Sequence, residues 1–341
     1  MDIVTHAVMG AALAAAVASV RCRDEKSALA ERRMAAGVGA AAGLLPDADA
    51  LIQSGGDALL VLDYHRHFSH ALAFVPFGAL LAALLLWPLL RRRTSFSALY
   101  VYSFCGYLLH PLLDACTSYG THLWLPFSQR KEAWNLIAVF DPLFTLLLAV
   151  PLFFFLRRPN SVAVRWSLVL GLTYFGLSFV QQQRVEAAAT ALAQARGHQP
   201  QQLSVKPSMA NLVLWRSLYA HDGRVQVDAF HLGFDVRHYP GESATLLDAA
   251  AAQKLAAGDA RRLQDIERFR EFSEGFIVHD TTGGLVGDAR YAMQPTAVAP
   301  IWGIAWSGAG AATDFVSRHD FSPAMRSRFV AMLLGRDTST N

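Results

Sequence analysis

The feature that most constrains this chain is where its metal-competent side chains fall along its apolar segments. His6 opens the first apolar segment, Asp47 and Asp49 close the second, and His65, His67 and His70 open the third. His110 and Asp114 close the fourth, and Asp141 opens the fifth. Segments that cross a bilayer in succession alternate in direction, so start, end, start, end, start is a single membrane face. Side chains able to bind a metal therefore converge at one depth. That pattern points to a metal site at a membrane surface, and to an enzyme.

The apolar content supports the bilayer. The 341 residues are 53% hydrophobic and 17% charged, where a soluble domain is about a quarter charged. The excess is concentrated in residues 1–183, while 184–341 has the composition of a soluble domain, so two domains are expected with a boundary at 183/184. A helix crossing the hydrocarbon needs roughly 20 apolar residues. Six candidates are Ile3–Val20, Met34–Ile52, Phe68–Leu90, Phe96–Cys116, Asp141–Leu156 and Val164–Val180. The second is mostly Ala and Gly, and small residues let helix backbones approach closely, which places it inside the bundle. The amino-terminal segment has no Lys or Arg before Arg21, so it lacks the basic region of a signal peptide and reads as a retained helix.

Orientation follows from the basic residues. Arg21, Arg23, Lys26, Arg32, Arg33, Arg91, Arg92, Arg93, Arg157, Arg158 and Arg165 lie in one set of loops, against Arg66, Arg130 and Lys131 in the other. The basic loops belong in the cytoplasm. The amino terminus, the His/Asp loops and the chain after the sixth span are then expected outside the inner membrane, on the periplasmic side in a Gram-negative cell. A net charge of +3 is too small to argue for nucleic acid. Cys22, Cys105 and Cys116 are too few for a disulfide framework and read as unpaired thiols.

Three motifs carry the chemistry. In Gly106-Tyr-Leu-Leu-His110-Pro-Leu-Leu-Asp114 the His and Asp are four apart, one above the other on a helix and able to hold one cation. Alternatively they hydrogen bond to each other. In Pro46-Asp47-Ala-Asp49 two carboxylates leave the membrane on an irregular turn, placed to ligate or bridge cations or to act as general base, unless they are simply a solvated helix end. In His65-Arg66-His67-Phe-Ser-His70 the imidazoles suit zinc and related metals, and Arg66 suits a phosphate. The alternative is a basic belt touching lipid headgroups. His6, four residues after Asp2, repeats the carboxylate–imidazole spacing. Thr117 and Asp141 are natural supporting partners for ligand imidazoles, with helix capping the other reading of Asp141.

These motifs, with Asp2-Ile-Val-Thr-His6, Leu45-Pro-Asp47-Ala-Asp49, Thr117-Ser-Tyr-Gly120 and Leu125-Pro126-Phe127, resemble the YdjM-like membrane-bound metal-dependent hydrolases over about residues 1–150. That family is similar, distantly, to zinc-dependent phospholipase C and to all-helical single-strand nucleases. The resemblance implies phosphoester hydrolysis with His6, Asp47, Asp49, His65, His70, His110 and Asp114 as metal ligands, for two or three divalent ions, zinc foremost. One departure is Ala50, where the family pattern carries a His after Asp-x-Asp, with His67 as a replacement. On this reading Asp47 is the general base, Asp49 the alternative, Arg66 holds phosphate, and the substrate is a lipid or lipid-linked headgroup. Two other classes compete: a metal-ion or solute transporter, and a non-catalytic sensor stabilised by metal. The inner halves of the spans, such as Ala12–Val20 and Leu80–Leu90, carry no polar path, which favours a surface site.

Residues 184–341 read as a small α+β domain. An Ala-rich helix runs to about Ala195, strands follow over Val205–Leu232 with a hairpin at His221-Asp222-Gly223, then helices at Leu246–Ala257 and Ala260–Phe272, a second hairpin over 277–292, and a strand at Ile301–Trp306. Its histidines show no ligand spacing. Gating, partner binding and packing over the site are all open as its role.

Overall fold

A computed structural model of the chain describes residues 1–21, 25–158, 163–281, 284–308 and 310–337. Cys22 and Arg23 lie outside the described residues. The chain divides into two compact units. The first comprises 1–52, 64–179 and 209–211; the second comprises 53–63, 180–208 and 212–341.

The first unit is helical. It contains α1 (Ile3–Arg21), α2 (Glu25–Leu44), α4 (Val75–Leu90), α5 (Phe96–Ala115) and α6 (Pro142–Phe155), and most of the apolar part of α7 (Ala163–Ala195). A short helix, α3 (Leu60–Tyr64), precedes the His-rich loop. Among the described residues, three stretches are long and apolar enough to cross a membrane, Leu72–Leu90, Phe96–Ala115 and Ala163–Ala195. Six spans are not established. The apolar helices Ile3–Ser19 and Pro142–Phe155 are shorter, the latter about 21 Å at 1.5 Å per residue, against roughly 30 Å of hydrocarbon. The Ala/Gly-rich second candidate ends as a helix at Leu44, and Pro46–Leu51 continues as a 3-10 turn. Its carboxylates therefore sit on irregular backbone, as the proline suggests.

Why these helices pack is legible in their small residues. Cβ atoms built at Gly10 and Gly39 would lie 2.4 and 2.3 Å from each other's carbonyl oxygens, and one at Gly106 would lie 2.1 Å from Gly39 O. Here α1, α2 and α5 meet backbone to backbone, with Ala14, Ala18, Ala35, Val38, Leu99 and Tyr102 buried toward the opposite end. The outer faces are the reverse: Phe77, Leu85 and Leu89 of α4, Leu146 and Phe153 of α6, and Leu172 and Val180 of α7 are exposed. Apolar side chains this large and this numerous on one surface suit lipid, not water.

The second unit is built on two antiparallel meanders. The first orders β1 (Gln202–Pro207), β2 (Leu214–His221), β3 (Arg224–Leu232) and β4 (Val236–Thr245); the second orders β5 (Ile277–Asp280), β6 (Leu285–Asp288), β7 (Trp302–Ala305) and β8 (Asp314–Ser317). The expected hairpin is present: Asp222 and Gly223 both have positive φ, which a two-residue turn matching strand twist requires. Helices α8 (Ala249–Ala256) and α9 (Ala260–Phe272) lie between the meanders in sequence, and α10 (Pro323–Leu333) follows them. Leu218, Val225, Val227, Phe276, Val278 and Ala289 form a core shared by both sheets. The end of α7 packs Val185 and Ala189 on Trp215 and Phe230. The last apolar segment and the Ala-rich helix form one uninterrupted helix of 33 residues, and β4, β8 and α10 are additions to the expected elements.

One buried charge makes a stability prediction. Lys206 pairs across the strands with Arg216 and sits 3.6 Å from the centroid of Tyr291. The Nη atoms of Arg216 donate to the carbonyls of Ala289, Gln294, Pro295 and Ala297. Burial first, then the Arg216 and Arg290 guanidiniums, lower the Lys206 pKa well below its ordinary value. The folded chain thus gives up a proton that the unfolded chain keeps. Stability should rise with pH between the lowered value and the free-lysine value of about 10.4. Lys206→Met, similar in volume, is expected to abolish that dependence and to raise the neutral-pH unfolding temperature by a few degrees, roughly 1 kcal/mol. Thermal unfolding across pH measures both.

A candidate metal centre at the ends of four segments

Each site residue is held by backbone whose local reason is visible. Asp47 and Asp49 ride the 3-10 turn after Pro46. His110 and Asp114 are on the last turns of α5. His6 is on the first turns of α1, whose start is capped by Asp2 through the amides of Val4 and Thr5. His65 and His70 come from the loop between α3 and α4. Arg66, between them, has φ of +63°, a conformation that costs a non-glycine residue about 1–2 kcal/mol. Its own contacts offset the strain: its amide donates to Asp49 Oδ2 at 3.0 Å, and its side chain reaches Asp114 and Thr117. The left-handed residue also splits the histidines. His65 and His70 turn to the carboxylates, whereas the His67 ring packs on His122 at 5.0 Å and on Tyr64. His67 is absent from both potential ligand groups among the described residues and does not stand in for the missing histidine at Ala50.

Among the described residues, two groups could hold an ion: Asp47, His70, His110 and Asp114, and Asp47, Asp49 and His65. Asp47 belongs to both. In the first, His70 Nε2 and His110 Nε2 are 2.9 Å apart. His110 Nε2 is 3.4 Å from Asp47 Oδ1 and 3.6 Å from Asp114 Oδ2; His70 Nε2 is 3.8 and 3.3 Å from the same oxygens. Ligands 2.0–2.1 Å from a tetrahedral zinc stand roughly 3.3 Å apart, so four atoms at these separations enclose a cation-sized point.

The ring hydrogen bonds leave two imidazole nitrogens facing that point. His110 Nδ1 lies 2.6 Å from the Gly43 carbonyl, which can only accept, so Nδ1 carries hydrogen and the neutral ring presents a lone pair at Nε2. His70 Nδ1 lies 3.1 Å from Asp49 Oδ2 and 3.0 Å from Ser69 Oγ, which assigns its hydrogen in the same way. The two Nε2 atoms, 2.9 Å apart, are reconciled either by a proton shared between the rings or by an ion that both ligate. The residues present therefore fit a metal.

The surroundings divide the expected ligands by task. Asp49 is buried, with Oδ1 on His65 Nδ1 at 2.8 Å and Oδ2 accepting from the Arg66 amide and the Ser69 hydroxyl. It chiefly orients other residues. Asp47 is the more open carboxylate, with its side chain 30% exposed. Burial raises both carboxyls, but the histidines beside them win: His110 holds Asp47 at about 2, and His65 and His70 hold Asp49 lower. Both are ionised at neutral pH, as ligands must be. His6 stacks on His110 at 3.6 Å between ring centroids and puts Nε2 3.2 Å from Asp114 Oδ1. It borders the first group without joining it.

Arg66 stands closer to the ligands than its expected role suggests. It is buried, with Nε 2.9 Å from Asp114 Oδ2 and Nη1 donating to Thr117 Oγ1 at 2.8 Å. Thr117 thus supports Arg66 and the Asp114 carbonyl, not an imidazole. Asp141 caps α6 at Phe144 and accepts from Tyr174, so its capping reading holds. Sequence reasoning passed over Ser69, Gly43 and the Met1 α-amine, which contacts Asp114. Ser69 lies inside a motif already singled out; a backbone carbonyl and an amino terminus have no side-chain signal.

A family model described as YdjM inner membrane protein matches residues 1–185. The chain belongs to that family. The matched region contains all seven expected ligands and ends within α7. The chain is also similar to the uncharacterized protein YfhP of Bacillus subtilis (strain 168), 27% identical over 188 residues, which is 54% of this chain and 56% of that one. The match thus covers little more than half of either protein. No solved structure matches. Family membership and the apolar helices make this an inner membrane protein whose His/Asp clusters could hold a metal ion.

Proposed function

We propose that the protein is a metal-dependent hydrolase that cleaves a phosphoester, on a lipid or lipid-linked headgroup, at the outer face of the inner membrane. The observation that carries this reading is the sharing of Asp47 by two adjoining ligand groups, the arrangement of a bridged pair of ions. A third ion would have to draw on His6. Divalent ions bound there, zinc foremost by the N/O donor set, would acidify bound water and neutralise phosphate charge.

The chain's own residues supply the rest. Asp47, the more accessible carboxylate, would take the proton from the attacking water on whichever of its oxygens holds no ion, with Asp49 behind it fixing His65 and His70. Arg66 balances Asp114 and, once that carboxylate serves an ion, can turn to a phosphate oxygen. Purified protein should contain about two equivalents of divalent metal and hydrolyse a generic phosphodiester or phospholipid; both should vanish with chelator and return with zinc. A metal-loaded protein inert on both substrates would refute the hydrolase and leave the metal site standing.

The sidedness has its own test. The amino terminus, the cluster and the 184–341 domain are proposed outside, from the bias of Lys and Arg. Reporter fusions after Thr94 and after Arg184 should report cytoplasm and exterior respectively. The reverse pattern would put the site on the inner face.

A further inference from the structure

A second feature of the helical unit lies away from the metal centre and is independent of it. A groove of about 830 Å³ runs between α2 and α4. Its walls are apolar, from Met34, Gly37 and Val38 on α2 and Leu86, Leu89 and Leu90 on α4. Arg33 and Arg93 line it as well. Arg33 precedes Met34 and Gly37 on α2, and Arg93 follows Leu86 and Leu90 after α4, so both guanidiniums belong to the same end. Arg33 lies ten residues before Gly43, roughly 15 Å along a helix from the His110 partner. The groove thus passes from two cations into hydrocarbon.

We propose that this groove is a binding site for one anionic glycerophospholipid, its acyl chain along α2 and α4 and its phosphate between Arg33 and Arg93. Three observations favour that occupant. The α4 wall belongs to a stretch able to span the membrane, and Leu89 is 76% exposed, so a lipid can enter from the bilayer. Two guanidiniums at one end match a phosphate without a cation of its own, Arg33 through its terminal nitrogens because its Nε donates to the Leu156 carbonyl at 2.8 Å; a zwitterionic headgroup brings its own cation and gains less. Glu31, the acidic group in the lining, accepts a hydrogen bond of 2.6 Å from buried Tyr102 on α5, which engages that carboxylate within the bundle. Gly37 keeps the space clear: a Cβ built there meets nothing within 4 Å.

That opening makes the site testable without disturbing the fold. Full-length protein, delipidated in detergent, would be titrated with phosphatidylglycerol or with phosphatidylcholine of the same acyl chains, and retained lipid counted by native mass spectrometry. One phosphatidylglycerol should be held roughly tenfold better than phosphatidylcholine. Arg33→Gln with Arg93→Gln should bring the two lipids level. Gly37→Phe, filling the groove, should remove tight retention of either, with wild-type helix content by circular dichroism. Equal retention of the two lipids by the wild type would overturn the proposal, and so would a phosphatidylglycerol preference that survives both variants.

Discussion

Asp114→Asn is expected to give a membrane-inserted protein that has lost most of its metal and its hydrolytic activity. Asp114 Oδ2 faces both ligand imidazoles at 3.3 and 3.6 Å, and asparagine keeps the shape without the charge that offsets a cation. Losing a ligand should exceed the 10–100-fold in affinity that losing a supporting partner costs. The substitution also strands charge, because Asp114 is fully buried and counters Arg66 and the Met1 α-amine. Breaking a buried pair from one side costs about 3–5 kcal/mol. Asp114→Asn should therefore melt below the chelated wild type, which keeps those pairs. Adding Arg66→Gln should recover part of the melting temperature and none of the metal. Elemental analysis and thermal unfolding of the wild type, with and without chelator, and of the two variants separate the roles. Normal metal content in Asp114→Asn would mean that the carboxylate is a counter-ion and no ligand.

Gly106→Val should be at least as damaging, though it touches no ligand. Any Cβ at Gly106 meets the Gly39 backbone at 2.1 Å, and backbone inside a helix cannot swing aside as a side-chain tip can. Overpacking costs 1–3 kcal/mol where side chains adjust; here α2 must part from α5, and the expected cost is about 3 kcal/mol or more. The same displacement separates Gly43 and Asp47 from His110, one helical turn beyond Gly106, so metal occupancy should fall with stability. Gly37→Ala is the control. Its Cβ enters open space, and the gain in helix propensity should leave stability unchanged or raise it by up to about 1 kcal/mol. A Gly106→Val protein with wild-type melting and metal content would show that the glycine contact is not what sets the helix spacing.

The residues that assemble the centre were legible because ligand chemistry is local. His110 and Asp114 share a helix face at a spacing of four, and Pro46 forces the turn that releases Asp47 and Asp49. Small residues marked α2 as an inside helix, and the Asp-Gly hairpin of the second unit was equally local, being a matter of two positive φ angles. Of the seven residues expected as ligands, Asp47, Asp49, His65, His70, His110 and Asp114 fall in the two groups that could hold an ion, and His6 stacks on His110 beside them.

What alternation could not decide was which members touch a common ion. That depended on the left-handed backbone at Arg66, which sends His67 to His122 while His65 and His70 turn inward. It depended on Gly43 O and Asp49, which fix two imidazole tautomers so that both lone pairs face one point. It depended on Arg66 itself, drawn to a buried carboxylate 48 residues away in sequence. Spacing along the chain determines which side chains lie on one helix face or at one bilayer depth. Hydrogen bonds from distant backbone determine where each ring nitrogen points, and only the packed structure brings those donors and acceptors within reach.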